Sequence, residues 1–472
     1  MLDRYKGAVL LAAAADALGW ITEFESDIKF LVSKYGTDRI TEFVDWEKKT
    51  GGKFLGYTDF IAKGSYSDDT QLMLCVSRSI TPDGSVDNEY FSKVELKDWL
   101  LYVRGGGKTI KTAARNLEKR APKWNSNFFK TSEDALAYFT AGANGAAMRM
   151  LPIVLSNITD RDRMIREVFK NSIITHGHPR AIVGALLYSL SVAYFLKADV
   201  LPDYPNEIIT NIAKELKSVA TLIDHLEDMG LSAWQDKWNS SKSEEFCQVF
   251  HETVEETLEL LRYAYKSIAV ETNVREVYKS LGALDKNTRG AGHISAVAAL
   301  YMATRYIYES PIQAVIECAN ILGSDTDTIG LMCGSMIGGY IGFEQVPKQL
   351  RSVQDYQYLL ENAEALLSRN IDTIKSHDRV GCFKTKNRST KPYDLTTLSV
   401  GDEIYLPSLG VGIVSSISEQ ATITAGKSVL ILEADFEIGQ SCKFSKVLVK
   451  ETGKANEKGF ERTWNPLGFE VA

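Results

Sequence analysis

Apolar residues recur at intervals of three and four along most of the chain, from Leu2 to about His377. This spacing places the side chains on one face of an α-helix. The stretches 206–229 and 246–268 show the pattern most plainly. Strands do not alternate with helices in this part of the chain, so the pattern predicts an all-α helical bundle rather than a doubly wound sheet.

The pattern changes after Ile374. The stretch 376–392 is rich in lysine and arginine and poor in apolar residues, which is typical of a linker. Short apolar runs follow, separated by Gly, Ser and Asp, and they predict strands at 403–406, 412–417, 429–436 and 443–449. We therefore expect a helical domain at 1–375, a linker at 376–394 and a small all-β barrel domain at 395–472.

A stripe of glycines marks one predicted helix near the end of the helical part. Gly330, Gly334, Gly338 and Gly342 recur at every fourth position, which leaves one face of the helix nearly bare. Each glycine lowers helix stability by about 1 kcal/mol, so close packing against another backbone must offset the loss. The segment is too short to span a membrane, and the stripe therefore predicts a tightly packed core helix.

Composition and charge argue against several classes of protein and of partner. The 472 residues include 54 Lys and Arg against 61 Asp and Glu, a net charge of -7. An acidic surface repels phosphate backbones, which makes nucleic acid an unfavourable partner. Six cysteines without a C-x-x-C pair argue against structural zinc and suit a reducing compartment. Asp16 interrupts the apolar run near the N-terminus and no stretch approaches the roughly 20 residues of a membrane span, so we expect a cytoplasmic protein without membrane contact.

Two short acidic clusters are the strongest candidates for chemistry. Ser67, Asp68, Asp69 and Thr70 precede one helical run, and the stretch 325–328 (Asp-Thr-Asp-Thr) precedes the glycine-striped helix. Each cluster by itself is typical of helix capping. Packed together, however, four carboxylates would repel one another unless cations lay between them. Oxygen ligands of this kind suit Mg²⁺ or Mn²⁺, so the pair of clusters predicts a two-metal site.

A series of motifs spread over the helical part resembles the ADP-ribosylglycohydrolase family, of the dinitrogenase-reductase-activating and ADP-ribosylarginine-hydrolase type. The motifs follow one another in family order. They are Asp16-Ala17-Leu18-Gly19, Thr22-Glu23-Phe24, Ser67-Asp68-Asp69-Thr70, Gly106-Gly107-Lys108-Thr109, Gly142-Ala143-Asn144-Gly145-Ala146-Ala147-Met148-Arg149, Thr175-His176-Gly177-His178-Pro179 and Gly323-Ser324-Asp325-Thr326-Asp327-Thr328-Ile329-Gly330. The stretch 199–290 matches least, and we expect it to form family-variable helices at the rim of the cleft.

The resemblance implies the ADP-ribosylglycohydrolase fold, an all-α bundle with two Mg²⁺ ions, or Mn²⁺, in a central cleft. It implies that the metals are held by Ser67, Asp68, Asp69, Asp325, Asp327 and Thr328. Serine at position 67 replaces the more usual threonine and keeps the ligand oxygen. Glu23 matches an acid on a flexible loop beside the metals, and it joins Asp69 as the candidate for proton transfer and positioning. Substrate contacts are implied for Asn144, Gly145, Met148 and His176.

The implied activity is the removal of ADP-ribose from a modified target by cleavage of the C1″ glycosidic bond. The target is an ADP-ribosylated protein or a small ADP-ribose conjugate. Arginine is the first choice of acceptor, while serine, a nucleic-acid base and free ADP-ribose derivatives stay open. The alternative is a protein of the same fold that binds ADP-ribose without turnover, as an immunity or structural protein. The intact pairs of aspartates argue against that alternative.

Two further segments carry weaker signals, one rich in glycine and one in the C-terminal part. The run Arg104-Gly105-Gly106-Gly107-Lys108-Thr109 is similar to a phosphate loop, but Tyr102 stands where that motif needs its first glycine. The segments 400–404 and 410–414 and the predicted strand 429–436 resemble the Tudor-like domain that ends some DNA-repair helicases. Residues 376–472 hold twelve basic and twelve acidic side chains. This neutral balance favours contact with protein, or packing on the cleft, over DNA binding. The function of the barrel stays open.

Overall fold

The computed structural model describes residues 1–118, 123–126, 132–375 and 394–449. The predicted linker at 376–394 therefore lies outside the described residues, apart from Asp394. The predicted domain boundaries stay a prediction.

Within these ranges the chain forms two compact units. The first comprises Met1–Phe43, Gly64–Lys97 and Arg104–Ile374. The second draws on three separate stretches, Val44–Lys63, Asp98–Val103 and the part that begins at Lys375. The second unit is thus assembled from segments that lie far apart in the sequence.

Helices dominate the first unit, as the apolar spacing predicts. The described α-helices are α1 (Leu2–Trp20), α2 (Ile28–Tyr35), α3 (Gly52–Leu55), α4 (Asp68–Ser79), α5 (Asn88–Tyr90), α6 (Leu96–Tyr102), α7 (Lys108–Glu118), α8 (Ser132–Phe139), α9 (Leu151–Ser156), α10 (Arg161–Ile173), α11 (Pro179–Lys197), α12 (Pro205–Ala220), α13 (Ser232–Ser241), α14 (Phe246–Ala269), α15 (Val274–Ser280), α16 (Gly292–Tyr306), α17 (Pro311–Asn320), α18 (Thr326–Ile341) and α19 (Tyr356–Ser368). A π-helical turn lies at Phe91–Glu95, and 3₁₀ turns lie at Ala147–Arg149, Thr221–Met229, Phe343–Gln345, Lys348–Ser352, Ile371–Ile374 and Leu395–Thr397.

The glycine stripe of α18 packs against α1. A Cβ atom on Gly338 would lie 2.1 Å from the carbonyl oxygen of Gly7, and one on Gly334 would lie 2.4 Å from that of Leu11. The two backbones therefore touch, and any larger residue would force them apart. Gly342 differs from the other members of the stripe because it has a φ of 80° and follows the last helical residue. The predicted close packing is confirmed, with the fourth glycine serving as the turn that ends the helix.

The two long amphipathic stretches end differently. The stretch 246–268 is observed as α14, which closes one residue later at Ala269. In the stretch 206–229, α12 ends at Ala220 and the chain tightens into a 3₁₀ segment, Thr221–Met229. Gly230, with a φ of 69°, closes this segment in the left-handed conformation that glycine adopts without strain.

The helix α11 is long and apolar enough, by length and composition alone, to cross a membrane. This observation corrects the expectation that no stretch approaches that length. Nearly nine-tenths of the apolar window is buried inside the protein, and the central helix of a folded core passes the same test. The length of α11 is therefore explained by its place in the core.

The main sheet of the second unit has four antiparallel strands in sequence order. They are β3 (Glu403–Leu406), β4 (Gly410–Ala421), β5 (Lys427–Phe436) and β6 (Ser441–Val449). All four predicted strands are confirmed, three of them with longer bounds. The register between β4 and β5 shifts at Val414 and Ser416, and a bulge of this kind increases the local bend and twist. The predicted barrel is observed as a curled sheet that forms half a barrel.

A β-hairpin in the N-terminal part also belongs to the second unit. The helical pattern of residues 2–377 does not predict it. Its strands are β1 (Trp46–Thr50) and β2 (Tyr57–Ile61), paired antiparallel. The Ile423 N–H donates to the Gly56 carbonyl at 2.9 Å, and Lys443 donates to Asp59 at 2.5 Å. The hairpin thus depends on partners more than 350 residues away, which a local pattern does not show.

Candidate functional site

The first acidic cluster lies at the start of α4. Ser67 is the N-cap residue, and its hydroxyl accepts a hydrogen bond from the Asp69 N–H at 3.2 Å. Capping therefore explains the serine. It does not explain Asp68 or Asp69, which lie in the first turn and are both buried. One oxygen of Asp68 accepts the Gly106 N–H at 2.7 Å, so the glycine-rich loop binds a carboxylate of the protein itself.

The second cluster lies at the start of α18. Asp325 is the residue before the helix, yet its side chain makes no capping hydrogen bond. Its Oδ2 instead accepts a hydrogen bond from Asn144 Nδ2 at 2.8 Å. Asp327 lies in the first turn and accepts the Thr328 N–H at 2.9 Å. The carboxylate of Asp325 is thus turned away from its own helix and towards another part of the molecule.

The fold brings the acids of the two clusters together with Glu23. One carboxylate oxygen each of Glu23, Asp325 and Asp327 lie within 4.8 Å of one another. Asp69 joins them, because the charges of Asp68 and Asp325 act on its carboxyl group. Acids from α4, from α18 and from the turn after α1 therefore share one small region.

Burial and like charge shift the pKa of these acids in the same direction. Loss of solvent is the largest cause for Asp69, and the neighbouring carboxylates add to it, so its pKa lies well above the usual range. Asp327 behaves in the same way, with Glu23 and Asp69 as the main charged neighbours. Such groups are costly as anions unless a cation compensates them.

The donor set fits divalent cations. Among the described residues, Asp69 Oδ2 is buried and has no hydrogen-bond partner. A buried carboxylate oxygen without a donor is costly to leave unmatched, and a metal ion would supply the missing partner. The remaining candidate ligands offer carboxylate and hydroxyl oxygens, as hard cations such as Mg²⁺ and Mn²⁺ prefer. The predicted ligands Ser67 and Thr328 flank these acids.

Asn144 connects the predicted substrate loop to the acids. Besides its bond to Asp325, its Nδ2 donates to Ser295 Oγ at 3.0 Å, and its own N–H donates to the Gly290 carbonyl at 2.9 Å. The loop is thereby fixed to α16 and to the segment before it. At Gly145, the next residue, there is no room for a side chain, since a Cβ atom there would lie 2.9 Å from His176 Cε1. Met148, the last predicted contact on this loop, is buried.

His176 lies in a buried polar network behind that loop. Its Nδ1 is 2.8 Å from Thr175 Oγ1, which also accepts a hydrogen bond from Arg149 at 2.9 Å. Burial and the Arg149 charge lower the pKa of His176 to about 3, so the ring is neutral at physiological pH. His176 is not among the residues that line the cleft, and its predicted contact with the substrate stays a prediction.

Beside the acids opens a cleft of about 480 Å³. Glu23 and Asp325 line one part of it, and Asn287 and Thr109 also border it. The same cleft is lined by basic groups that the sequence did not predict there, namely Arg180, Lys286 and Arg289 with the neutral His178. Two of these lie at the end of the stretch that matches the family least. Arg180 follows the motif 175–179 directly, whereas Lys286 and Arg289 adjoin none of the quoted motifs.

The basic groups are held in different ways. Arg180 forms an ion pair with Glu256 at 3.1 Å, and Arg289 donates to the Gly323 carbonyl at 3.1 Å. Lys286 is exposed. His178 caps α11 by accepting the Arg180 N–H, and burial lowers its pKa to about 4. The cleft therefore joins an acidic part to a basic part, an arrangement suited to a ligand with polar and anionic groups.

Comparison with known proteins gives the family. The model of the ADP-ribosylglycohydrolase family matches residues 1–374. ADP-ribosylhydrolase ARH3 of Bos taurus is 23% identical over 364 residues, which cover 74% of this chain and 87% of that protein. ADP-ribosyl-[dinitrogen reductase] glycohydrolase of Rhodospirillum rubrum is 26% identical over 195 residues, 41% of this chain and 58% of that protein.

A solved structure described as an ADP-ribosylglycohydrolase-related protein complex aligns with 78% of this chain and 97% of its own, with a TM-score of 0.45 and 17% identity. The match of the family model does not depend on that alignment. The match to the family model covers the whole first unit, and all the motifs that carry the predicted resemblance lie inside the matched residues. The chain therefore belongs to the ADP-ribosylglycohydrolase family, a family of hydrolases.

Proposed function

We propose that this protein is a Mg²⁺-dependent hydrolase that removes ADP-ribose from a modified protein by cleaving the C1″ glycosidic bond, with arginine as the acceptor. The observation that carries the proposal is the meeting of Glu23, Asp325 and Asp327 within 4.8 Å at the edge of a cleft. The names of the relatives from Bos taurus and Rhodospirillum rubrum support the same chemistry. A cytoplasmic location is part of the proposal.

The residues that would hold two metal ions are Ser67, Asp68, Asp69, Asp325, Asp327 and Thr328. Divalent cations at such a site polarise the oxygen atoms of substrate and water and stabilise negative charge as it develops. The protein's part is to hold its carboxylates in place before the substrate binds. Burial of Asp69 and Asp327 supports this role, since buried side chains keep one arrangement.

Glu23 is the candidate for orienting the reacting groups. It lines the cleft, it is less buried than Asp69 and Asp327, and it lies beside the acids of α18. A carboxylate in this position can accept a proton from water or hold a ribose hydroxyl by a hydrogen bond. Asp69 shares the proton-transfer assignment in the proposal, although its unpartnered oxygen also suits a metal ligand.

The basic part of the cleft supports a nucleotide-containing substrate. Arg180, Lys286 and Arg289 line the cleft together with Asp325. A diphosphate between two sugars fits a cleft with a basic part and an acidic part. The basic side chains attract the phosphates, while the acidic part faces the ribose. Arg289 is the residue of choice for testing this, since its guanidinium is partly fixed by the Gly323 carbonyl. Arg289→Gln should raise KM more than it lowers kcat.

The proposal is tested by measuring ADP-ribose release from arginine-, serine- and base-linked substrates, with Mg²⁺, with Mn²⁺ and with a chelator. We expect release from the arginine linkage, dependent on the metal. The matched control is Asp372→Asn, which changes an exposed aspartate of the same unit outside the cleft. If ADP-ribose is released only from a serine- or base-linked substrate, that linkage replaces arginine as the proposed acceptor. Tight ADP-ribose binding without release from any substrate would support the non-catalytic alternative.

A further inference from the structure

A buried carboxylate on α1 lies behind the first acidic cluster. Asp16 is fully buried. Its Oδ1 accepts the Ser67 N–H at 3.0 Å, and its Oδ2 accepts both the Thr70 N–H at 3.0 Å and the Thr70 hydroxyl at 2.5 Å. Three donors from one short segment therefore converge on a single side chain, and Asp68 and Asp69 lie between the two residues that it holds.

The same helix contacts the second acidic cluster one turn later. A Cβ atom on Gly19 would lie 2.3 Å from the Thr326 carbonyl oxygen, so the two backbones are in direct contact. The Thr326 hydroxyl donates to the Gly19 carbonyl at 2.7 Å. Within four residues, α1 thus holds the segment of Asp68 and Asp69 by hydrogen bonds and the segment of Asp325 and Asp327 by close packing.

We propose that Asp16 is a positioning residue that sets the first pair of aspartates at the distance from the second pair that a pair of divalent cations requires. This inference rests on the proposed function. Asp16 itself is not a cation ligand in this proposal, since its two oxygens already accept three hydrogen bonds. It acts through the backbone N–H groups of Ser67 and Thr70 and through the Thr70 hydroxyl.

The type of side chain supports this role. A buried carboxylate near other carboxylates is costly, and a neutral residue of the same size would fill the space without that cost. However, a backbone N–H group faces each of the two oxygens of Asp16. These groups can only donate, so only a side chain with acceptors on both ends satisfies them. Asparagine would place an NH₂ group against at least one donor and break the arrangement. The cost is therefore explained by the need to orient the segment 67–70.

The test measures Mn²⁺ binding directly, by electron paramagnetic resonance or calorimetry, on the full chain without substrate. Asp16→Asn and Thr70→Val each remove part of the arrangement, while Thr70→Ser keeps the hydroxyl and serves as the matched control. We expect Asp16→Asn to weaken Mn²⁺ binding about ten- to a hundredfold, as is typical when a group that orients a ligand is lost. Thr70→Val should weaken it less, and Thr70→Ser should stay near the wild-type value.

A second measurement separates positioning from simple support of the fold. If Asp16 positions the ligands, the Mn²⁺ concentration for half-maximal turnover should rise in Asp16→Asn, and kcat should recover largely at saturating Mn²⁺. A variant with a lower melting temperature but wild-type Mn²⁺ affinity would overturn the inference, and if Asp16→Asn does not fold, Thr70→Val against Thr70→Ser decides the matter. Wild-type protein that binds no Mn²⁺ would overturn the metal part of the proposed function, and this inference with it.

Discussion

The first unit contains two buried clusters of charged side chains that are balanced in opposite ways. In one, the guanidinium of Arg78 and the carboxylate of Glu95 are both fully buried and 2.8 Å apart, and Arg78 also donates to the Tyr358 hydroxyl. In the other, the pKa values of Asp69 and Asp327 are raised because both are buried and lie among further carboxylates. In the first cluster the two opposite charges compensate each other, whereas in the second cluster the carboxylates repel one another.

This difference separates a structural role from a functional one. A buried ion pair is weak evidence for stability, yet removing one partner is strongly destabilising because the other charge is left without compensation. In the acidic cluster the reverse holds, since removing one charge relieves repulsion among the rest. A cluster that costs stability and persists is expected where a ligand completes it. The comparison therefore predicts which substitutions damage stability and which damage activity.

The largest expected effect is on activity. Asp68→Ala should lower Mg²⁺-dependent turnover by roughly a thousandfold or more, because a metal ligand supplies several kcal/mol to the transition state. The melting temperature of the metal-free protein should stay the same or rise. Asp372→Asn provides the control for loss of an aspartate. Full turnover in Asp68→Ala, or undiminished turnover of the wild type in a strong chelator, would contradict the two-metal assignment.

The next effect is on stability. Arg78→Met should lower the free energy of unfolding by about 3–5 kcal/mol, because Glu95 stays buried without its partner. The double variant with Arg78→Met and Glu95→Leu should recover most of that loss. Urea unfolding monitored by circular dichroism measures both. Activity of the folded fraction should be unchanged, and a large loss of kcat would mean that the pair is coupled to the cleft.

A smaller effect is expected at Glu23, a half-buried member of the three acids that lie within 4.8 Å of one another. Glu23→Gln should lower kcat about a hundredfold, within the range typical of acid–base groups, while Mn²⁺ affinity changes little. Glu25→Gln, two residues later, is the matched control. If the Gln variant instead loses Mn²⁺ binding, Glu23 is a metal ligand, and wild-type kcat would make it a surface acid.

The smallest effect is on the pH dependence of stability. The native pKa of Asp327 lies above its ordinary value, so the folded protein binds this proton more tightly than the unfolded chain does. Stability of the metal-free protein should therefore fall as pH rises from the ordinary pKa of aspartate towards the raised native value. Asp327→Asn should remove this loss of stability. The loss amounts to about 1.4 kcal/mol for each unit by which the native pKa exceeds that of the unfolded chain. Thermal unfolding between about pH 4 and 8 measures the difference; equal slopes in the two proteins would contradict the raised native pKa of Asp327.

The sequence predicted those features whose signal is local. The strands of the sheet, the helix α14 and the packing of the glycine stripe follow from spacing alone. The two acidic clusters were recognisable because carboxylates and hydroxyls occur together at helix starts. Their meeting in space could be expected from chemistry, because isolated caps need fewer acids.

Other features depend on the arrangement of distant segments. Arg180 and Arg289 reach one cleft from different helices and loops, and neither lies in a pattern that marks it. The hairpin β1–β2 was missed because each strand has only five residues and the first carries neighbouring lysines at positions 48 and 49. Asp16 was visible only as part of a family motif, since its three donors come from residues more than fifty positions later.

The composite second unit bears on how the chain folds during synthesis. Asp59 pairs with Lys443, 384 residues later, and the Ser408 N–H donates to Asp98 across 310 residues. A ribosome adds residues in order, at roughly 5–20 per second, so the hairpin emerges tens of seconds before its partners exist. During that interval its strand edges are unprotected, which is where nascent chains aggregate or recruit chaperones. Expression yield should therefore respond to substitutions at Asp59 and Lys443 even where the purified protein is active.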